Sequence, residues 1–241
     1  GVEDFTGVWP HLVDRYKPGF VMVLPDGRRF ANESASYHDL GREMIAACYV
    51  SFGHSVDFGF STGAGVDIAT LDPVTGVFHV DTTAVTIKPG TSTVAFNASN
   101  RRRWPEGLQR YTEDLLRGAE GPRGRDFNMR WIGSLVADCY RILTRGGVFL
   151  YPGDQRKGYA KGRLRLVYEA NPVAMVVEQA GGSATDGVTR ILDLVPDDLH
   201  ARTGLVFGSK REVERVGRYM VDPSAMAERS PLFSKRSLFR A

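Results

Sequence analysis

Cysteine is scarce in this chain of 241 residues, with only Cys48 and Cys139. Two thiols make no disulfide framework and are too few for a four-ligand structural zinc site. A reducing compartment is the default for such a chain, and a cytoplasmic location is the expectation. Long apolar runs are missing too. No stretch approaches the ~18 residues of a membrane-spanning helix, and no signal-peptide pattern opens the chain. The histidines His11, His38, His54, His79 and His200 are not spaced as a metal pair. No G-x-S-x-G elbow, Walker loop or G-x-G-x-x-G fingerprint occurs. These absences argue against a covalent hydrolase and a nucleotide-dependent enzyme.

What is present suits a folded protein of one large or two modest domains, 42% hydrophobic and 24% charged. The net charge of +3 hides an asymmetry. Residues 1–100 sum to −5, residues 101–170 to +7 and residues 171–241 to +1. A basic middle third suits an anionic ligand, and it equally suits a solvated basic surface. No nucleic-acid-binding motif accompanies it.

Residues 1–35 carry no motif beyond a short strand pattern at Phe20 to Leu24 and a turn at Pro25-Asp26-Gly27. From Met44 the chain is β-rich. Strands are expected over Met44 to Phe52, Ile68 to Leu71, Val77 to Val80, Val85 to Ile87 and Thr93 to Phe96, with a hairpin loop at Asp72 to Gly76. After Asn100 helices and strands alternate. Helices are expected over Trp104 to Arg117, from Ser134 to Gly146, from Asn171-Pro172 to Gly181 and over Lys210 to Tyr219. Strands are expected at Val148 to Tyr151, Arg163 to Tyr168, Ile191 to Val195 and Leu205 to Phe207. This alternation implies an α/β fold with mixed sheets flanked by helices. The organisation expected is a β-rich region over 1–100, an α/β domain over 101–221 and a polar tail over 222–241.

Two segments could carry chemistry. In an extended Arg163-Leu164-Arg165-Leu166-Val167-Tyr168, alternation puts Arg163, Arg165 and Glu169 on one face. Arginine forks grip phosphate and a glutamate offers a hard oxygen to Mg²⁺; a surface Arg–Glu pair would look the same. The second segment is Gly121 to Arg130, a basic glycine-containing loop before a helix, suited to an anion.

Several runs resemble signatures of class I fructose-1,6-bisphosphatases. They are Arg130-Trp131-Ile132-Gly133-Ser134-Leu135-Val136-Ala137-Asp138, Gly146-Gly147-Val148-Phe149-Leu150-Tyr151-Pro152, and Arg163 through Pro172 followed by Glu178-Gln179-Ala180-Gly181-Gly182. Leu71 to Gly76 and Phe96-Asn97-Ala98-Ser99-Asn100 fit upstream, and Gly208-Ser209 fits downstream. Order and spacing are consistent, and the Asn97 and Gly121 to Arg130 stretches look most like the bacterial branch.

The resemblance implies a layered α+β sugar-phosphatase fold and Mg²⁺-dependent hydrolysis of the 1-phosphate of fructose 1,6-bisphosphate. It implies that Asn97 and Tyr151 contact the 6-phosphate and that Arg130 reaches that phosphate in a neighbouring subunit's site. Arg163 would hold the sugar or its phosphate, Arg165 would lie near the 1-phosphate, and Glu169 would ligate metal. A homo-oligomer, dimer or tetramer, follows from Arg130. Sedoheptulose-1,7-bisphosphatase activity is a close variant. Three departures from the family pattern stand out. Arg163 replaces the usual lysine, and Trp131 replaces a phosphate-binding tyrosine. The family's D-P-L-D-G-S-S metal motif and its upstream glutamate are not found. Glu169 alone is too little to hold two or three Mg²⁺ ions, so a catalytically incomplete sugar-phosphate-binding protein is the alternative.

Overall fold

The structure, a computed structural model, describes residues 46–221 and the short strand Phe20–Val21 (β1). The turn at Pro25, Leu24, Met44, the tail from Asp222, His11 and His38 lie outside the described residues.

Five antiparallel strands in chain order make the first sheet: β1, β2 (Ala47–Phe52), β3 (Val56–Ser61), β4 (Asp67–Leu71) and β5 (Phe78–Thr82). The hairpin between β4 and β5 forms where the turn residues predict it, and Asp72 accepts N–H bonds from Val74 and Gly76. Strand β3 escaped the sequence reading because its polarity is inverted. Asp57, Gly59 and Ser61 face inward, while Val56, Phe58 and Phe60 are half-buried on the other face. The reason is Tyr49, fully buried on β2 opposite Gly59. A Cβ at Gly59 would lie 2.2 Å from its ring, so only glycine fits beneath that tyrosine. Asp57 tolerates burial because Thr70 and Ser55 donate hydroxyl hydrogen bonds to it at 2.7 and 2.8 Å. We expect Gly59→Ala to lower stability by about 1–3 kcal/mol through overpacking, read as a lower urea midpoint at unchanged slope.

The second sheet is mixed, in the order β10 (Ser183–Thr185), β12 (Leu205–Gly208), β8 (Val148–Tyr151), β6 (Thr93–Phe96) and β7 (Asn128–Met129). Strands β7, β6 and β8 run parallel; β12 and β10 are antiparallel to their neighbours. A two-stranded ribbon pairs β9 (Leu164–Arg165) with β11 (Arg202–Thr203). Among the described residues four α-helices accompany the sheets: α1 (Glu106–Leu116), α2 (Leu135–Arg145), α3 (Asn171–Gln179) and α4 (Lys210–Val221). Ser134 caps α2 through its hydroxyl, which accepts the Ala137 N–H, and Gly146 ends the helix at φ 77°.

Strand alternation divides the core into two clusters. Ala95, Phe149, Leu205 and Phe207 face α2, α3 and the inner side of the first sheet. Val94, Phe96, Val148, Leu150 and Val206 face α1 and α4 on the other side. Helices α2 and α3 thus lie between two sheets, and α1 and α4 cover the outside of the second. The expected α/β layering is what forms.

Three expected strands take other forms. Val85 to Ile87 joins no strand ladder: Val85 donates to Val66 O and Ile87 to Ala180 O, so the segment bridges two elements. Ile191–Asp193 is a single 3₁₀ turn that buries Ile191 completely. Arg163 to Tyr168 is extended only at Leu164–Arg165; Leu166–Ala170 coils into a π-helical turn leading into α3. The Asn171 N–H reaches back to Leu166 O, and the Glu169 carboxylate accepts the Arg165 N–H at 2.7 Å. That side chain satisfies an orphan donor at the start of the turn, which favours coiling over extension. Strand alternation therefore does not relate Arg165 to Glu169; the coil does.

Candidate functional site

Of the three parallel strands, β6 and β8 end at one level and β7 ends two residues short of it. Phe96 pairs with Leu150, so Asn97 and Tyr151 are the next residues at the carboxyl ends of β6 and β8. Val94 pairs with Met129, and Arg130 donates its N–H to Val94 O, so Arg130 and Trp131 leave the carboxyl end of β7 beside them. The crevice outside the carboxyl ends of parallel strands is where open α/β sheets take ligands. The Trp131 ring stacks on Phe149 and Tyr151, with centroids 5.6 and 6.2 Å apart. Tyr151 is half-buried and Arg130 exposed.

The donors at this level are left unused. Asn97 spends its carbonyl oxygen on Ser99, accepting from the backbone N–H at 3.1 Å and the hydroxyl at 2.5 Å. This keeps the side-chain amide N–H groups available. The Tyr151 hydroxyl and the guanidinium groups of Arg130, Arg163 and Arg165 bind no carboxylate or carbonyl among the described residues. Other arginines are tied: Arg156 to Asp154, Arg141 to Asp138, Arg190 to Glu178. Unpaired donors, three of them cationic, suit an anion with many acceptor oxygens.

Residues 152–163 return from Tyr151 to Arg163 as an ordered loop. Asp154 N and Gly162 N both donate to Tyr159 O, and Gln155 N donates to Arg103 O, which ties the loop to the turn after Asn97. The Asp154 carboxylate takes Arg156 Nε at 2.9 and 3.0 Å. That hydrogen bond holds the Asp154 carboxyl below the usual carboxylate range, against the opposing effect of burial. A depressed pKa means the anchor is complete above the ordinary carboxylate value and is lost only as pH falls through the lower, folded one. This scaffold was not read from the sequence, where residues 153–162 show only glycines and charges; the Asp154-x-Arg156 spacing was its one signal. A cavity of about 300 Å³ opens behind the loop, lined by residues such as Lys161, Leu166 and Arg202, and none of the seven predicted site residues lines it.

Buried Cys139 has its thiol pushed up by burial, which removes it as a nucleophile; Cys48 is buried as well. No group of three or more His, Cys, Asp or Glu among the described residues could hold a metal ion. Glu169 is a lone carboxylate, already accepting a backbone N–H. The described residues therefore do not complete a site for a divalent ion.

The family model "Fructose-1-6-bisphosphatase, C-terminal domain" matches residues 87–221. The chain is 54% identical over 208 residues to a class 1 fructose-1,6-bisphosphatase of Sinorhizobium medicae, covering 86% of this chain and 60% of that protein. It is 51% identical over 219 residues to one of Methylobacterium radiotolerans, covering 91% and 62%. The chain thus spans about three fifths of the length of these relatives. A crystal structure of Leishmania major fructose-1,6-bisphosphatase in holo form superposes with TM-score 0.70 at 36% identity, over 74% of this chain and 57% of that one. A model for an FAD binding domain also matches residues 2–70. The described part of that span does not fit a dinucleotide: β2, β3 and β4 are antiparallel neighbours with no helix between them, whereas a dinucleotide fold needs a βαβ unit with a glycine turn at a helix N-terminus.

Proposed function

The chain belongs to the class 1 fructose-1,6-bisphosphatase family, and we propose that it serves hydrolysis of the 1-phosphate of fructose 1,6-bisphosphate, giving fructose 6-phosphate and inorganic phosphate. The observation that carries this reading is the shared carboxyl edge at which the parallel strands β6, β7 and β8 deliver Asn97, Arg130-Trp131 and Tyr151, with donors left unused. The 6-phosphate binds there, held by the Asn97 amide, the Tyr151 hydroxyl, the Trp131 indole edge and Arg163. Arg130, exposed beyond β7, reaches the same phosphate in a neighbouring copy, which makes the active form a homo-oligomer. Holding the remote phosphate orients the reacting end. Arg165 meets charge developing on the 1-phosphate with a planar fork of donors. Mg²⁺ would be the divalent ion in this reading: Glu169 would be among its ligands, and the ion would supply Lewis acidity at the phosphoryl group.

One observation favours a second reading. The lack of a metal-holding cluster among the described residues suits a sugar-phosphate-binding protein without catalysis. Inorganic phosphate release from fructose 1,6-bisphosphate, with and without Mg²⁺, separates the two. Mg²⁺-dependent release that falls at least ~100-fold in Glu169→Gln supports the phosphatase. No release from folded protein that binds fructose 6-phosphate overturns it in favour of the second reading.

A further inference from the structure

We propose that Tyr159 is a positioning residue for Arg163, holding the guanidinium by its ring face so that every N–H remains free for the substrate's phosphate. The proposal rests on the sugar-phosphate reading of the site and adds a residue to it. Two guanidiniums lie against the Tyr159 ring: Arg163 at 4.6 Å from the centroid and Arg156 at 5.0 Å. They differ in what else they touch. Arg156 is bound to the carboxylate of Asp154, whereas the Arg163 guanidinium has the ring as its partner among the described residues. A carboxylate would hold Arg163 in place but would occupy the donors an anion needs and cancel the charge. An aromatic face attracts the cation through its quadrupole and takes none of its in-plane hydrogen bonds. The ring is itself fixed. Tyr159 N donates to Arg156 O at 3.0 Å, and Tyr159 O accepts from Asp154 N and Gly162 N at 3.0 and 2.9 Å. Gly162, at φ 100°, brings the chain hard against Thr203, and a Cβ there would sit 2.2 Å from the Thr203 backbone. The turn leading into Arg163 therefore has little freedom. This also accounts for arginine at position 163: a planar guanidinium can lie flat on the ring while its edge faces outward, which a compact ammonium cannot match.

The test uses the full chain with Tyr159→Phe, Tyr159→Leu, Arg163→Ala and the Tyr159→Leu/Arg163→Ala double variant. The first readout is independent of any ligand: the Arg163 Nε–H proton resonance, shifted by the ring current. It should be retained in Tyr159→Phe and lost in Tyr159→Leu. The second is the Kd for fructose 6-phosphate by calorimetry. Tyr159→Leu should raise it about two- to fivefold, the equivalent of an exposed cation–π contact, and Tyr159→Phe should leave it unchanged. In the Arg163→Ala background Tyr159→Leu should have no further effect. An unshifted Arg163 resonance in the wild type, or an affinity loss that persists without Arg163, overturns the proposal. Failure of the underlying reading looks different: the wild type does not bind fructose 6-phosphate, although the Arg163 resonance still responds to Tyr159→Leu. That outcome overturns the assigned role of Tyr159 as well.

Discussion

Replacing Glu212 by alanine is expected to destabilise the protein by about 3–5 kcal/mol, the range for breaking one side of a buried ion pair. Glu212 lies at the start of α4, 2% exposed. Its carboxylate accepts Arg123 Nη2 at 2.6 and 2.8 Å, Arg125 Nη2 at 2.9 Å and the Tyr111 hydroxyl at 3.0 Å. The Arg123 side chain is also 2% exposed. Burial works against its cation, but the hydrogen bond and charge of Glu212 outweigh this and raise the guanidinium above its ordinary pKa. Tyr111 is pushed well up as well, by burial first and then by the Glu212 charge. Without the carboxylate, Arg123 stays enclosed with only the rings of Tyr111 and Phe127 for company. The loop it pins, residues 121–127, leads directly into β7 and Arg130, so the same variant should weaken the site. Urea unfolding checks the magnitude. A Glu212→Met/Arg123→Met double variant should recover much of the loss, because it removes the stranded charge along with its partner.

Gly208→Ala is the second large effect, expected to cost about 3 kcal/mol or more. Gly208 ends β12 opposite Val148 and Ser183, with φ at 133°, a region that side chains rarely adopt. A Cβ there would meet the Gly147 carbonyl oxygen at 2.1 Å. That carbonyl cannot swing aside, because Ser209 N donates to it at 2.8 Å and the Ser209 hydroxyl accepts from Gly147 N at 3.3 Å. Backbone strain and a clash with fixed backbone add together. The disturbance sits at the centre of the sheet, between β8 and β12, so thermal unfolding should show a fall in Tm of about 6–12 °C or more, at about 2–4 °C per kcal/mol for a chain of this size. Ser209→Ala, which removes only the hydroxyl, should lose a small fraction of that.

Much of the fold was legible in the residues. Helices α1 to α4 carry apolar stripes and end signals such as Ser134, Gly146 and Asn171-Pro172, and they form close to where those signals stand. What was illegible had physical causes. β3 turns its small and polar residues to the core because Tyr49 fills the space above Gly59, an inversion that a pattern of apolar periodicity does not reveal. The alternation in Arg163 to Tyr168 predicts a strand, yet Glu169 caps the Arg165 N–H and coils the second half. A local side-chain bond overrode propensity there. The site was legible as motifs, but its geometry was not: nothing in the sequence places Asn97, Tyr151 and Trp131 at one edge, since that depends on the parallel register of β6, β7 and β8. The Asp154–Arg156–Tyr159 scaffold shows in the sequence only as the Asp154-x-Arg156 spacing, its members being ordinary loop residues until the backbone brings them together.

The most direct test of the account is calorimetric binding of fructose 6-phosphate to the chain and to its Asn97→Ala and Tyr151→Phe variants, with thermal unfolding of each as a check on folding. The account predicts one-to-one binding to the wild type and a loss of roughly ten- to hundredfold in each variant at unchanged Tm, the weight of one hydrogen bond to a charged group. Wild-type binding unaffected by either substitution, or no binding by folded wild-type protein, would contradict a sugar-phosphate site at the carboxyl ends of these strands.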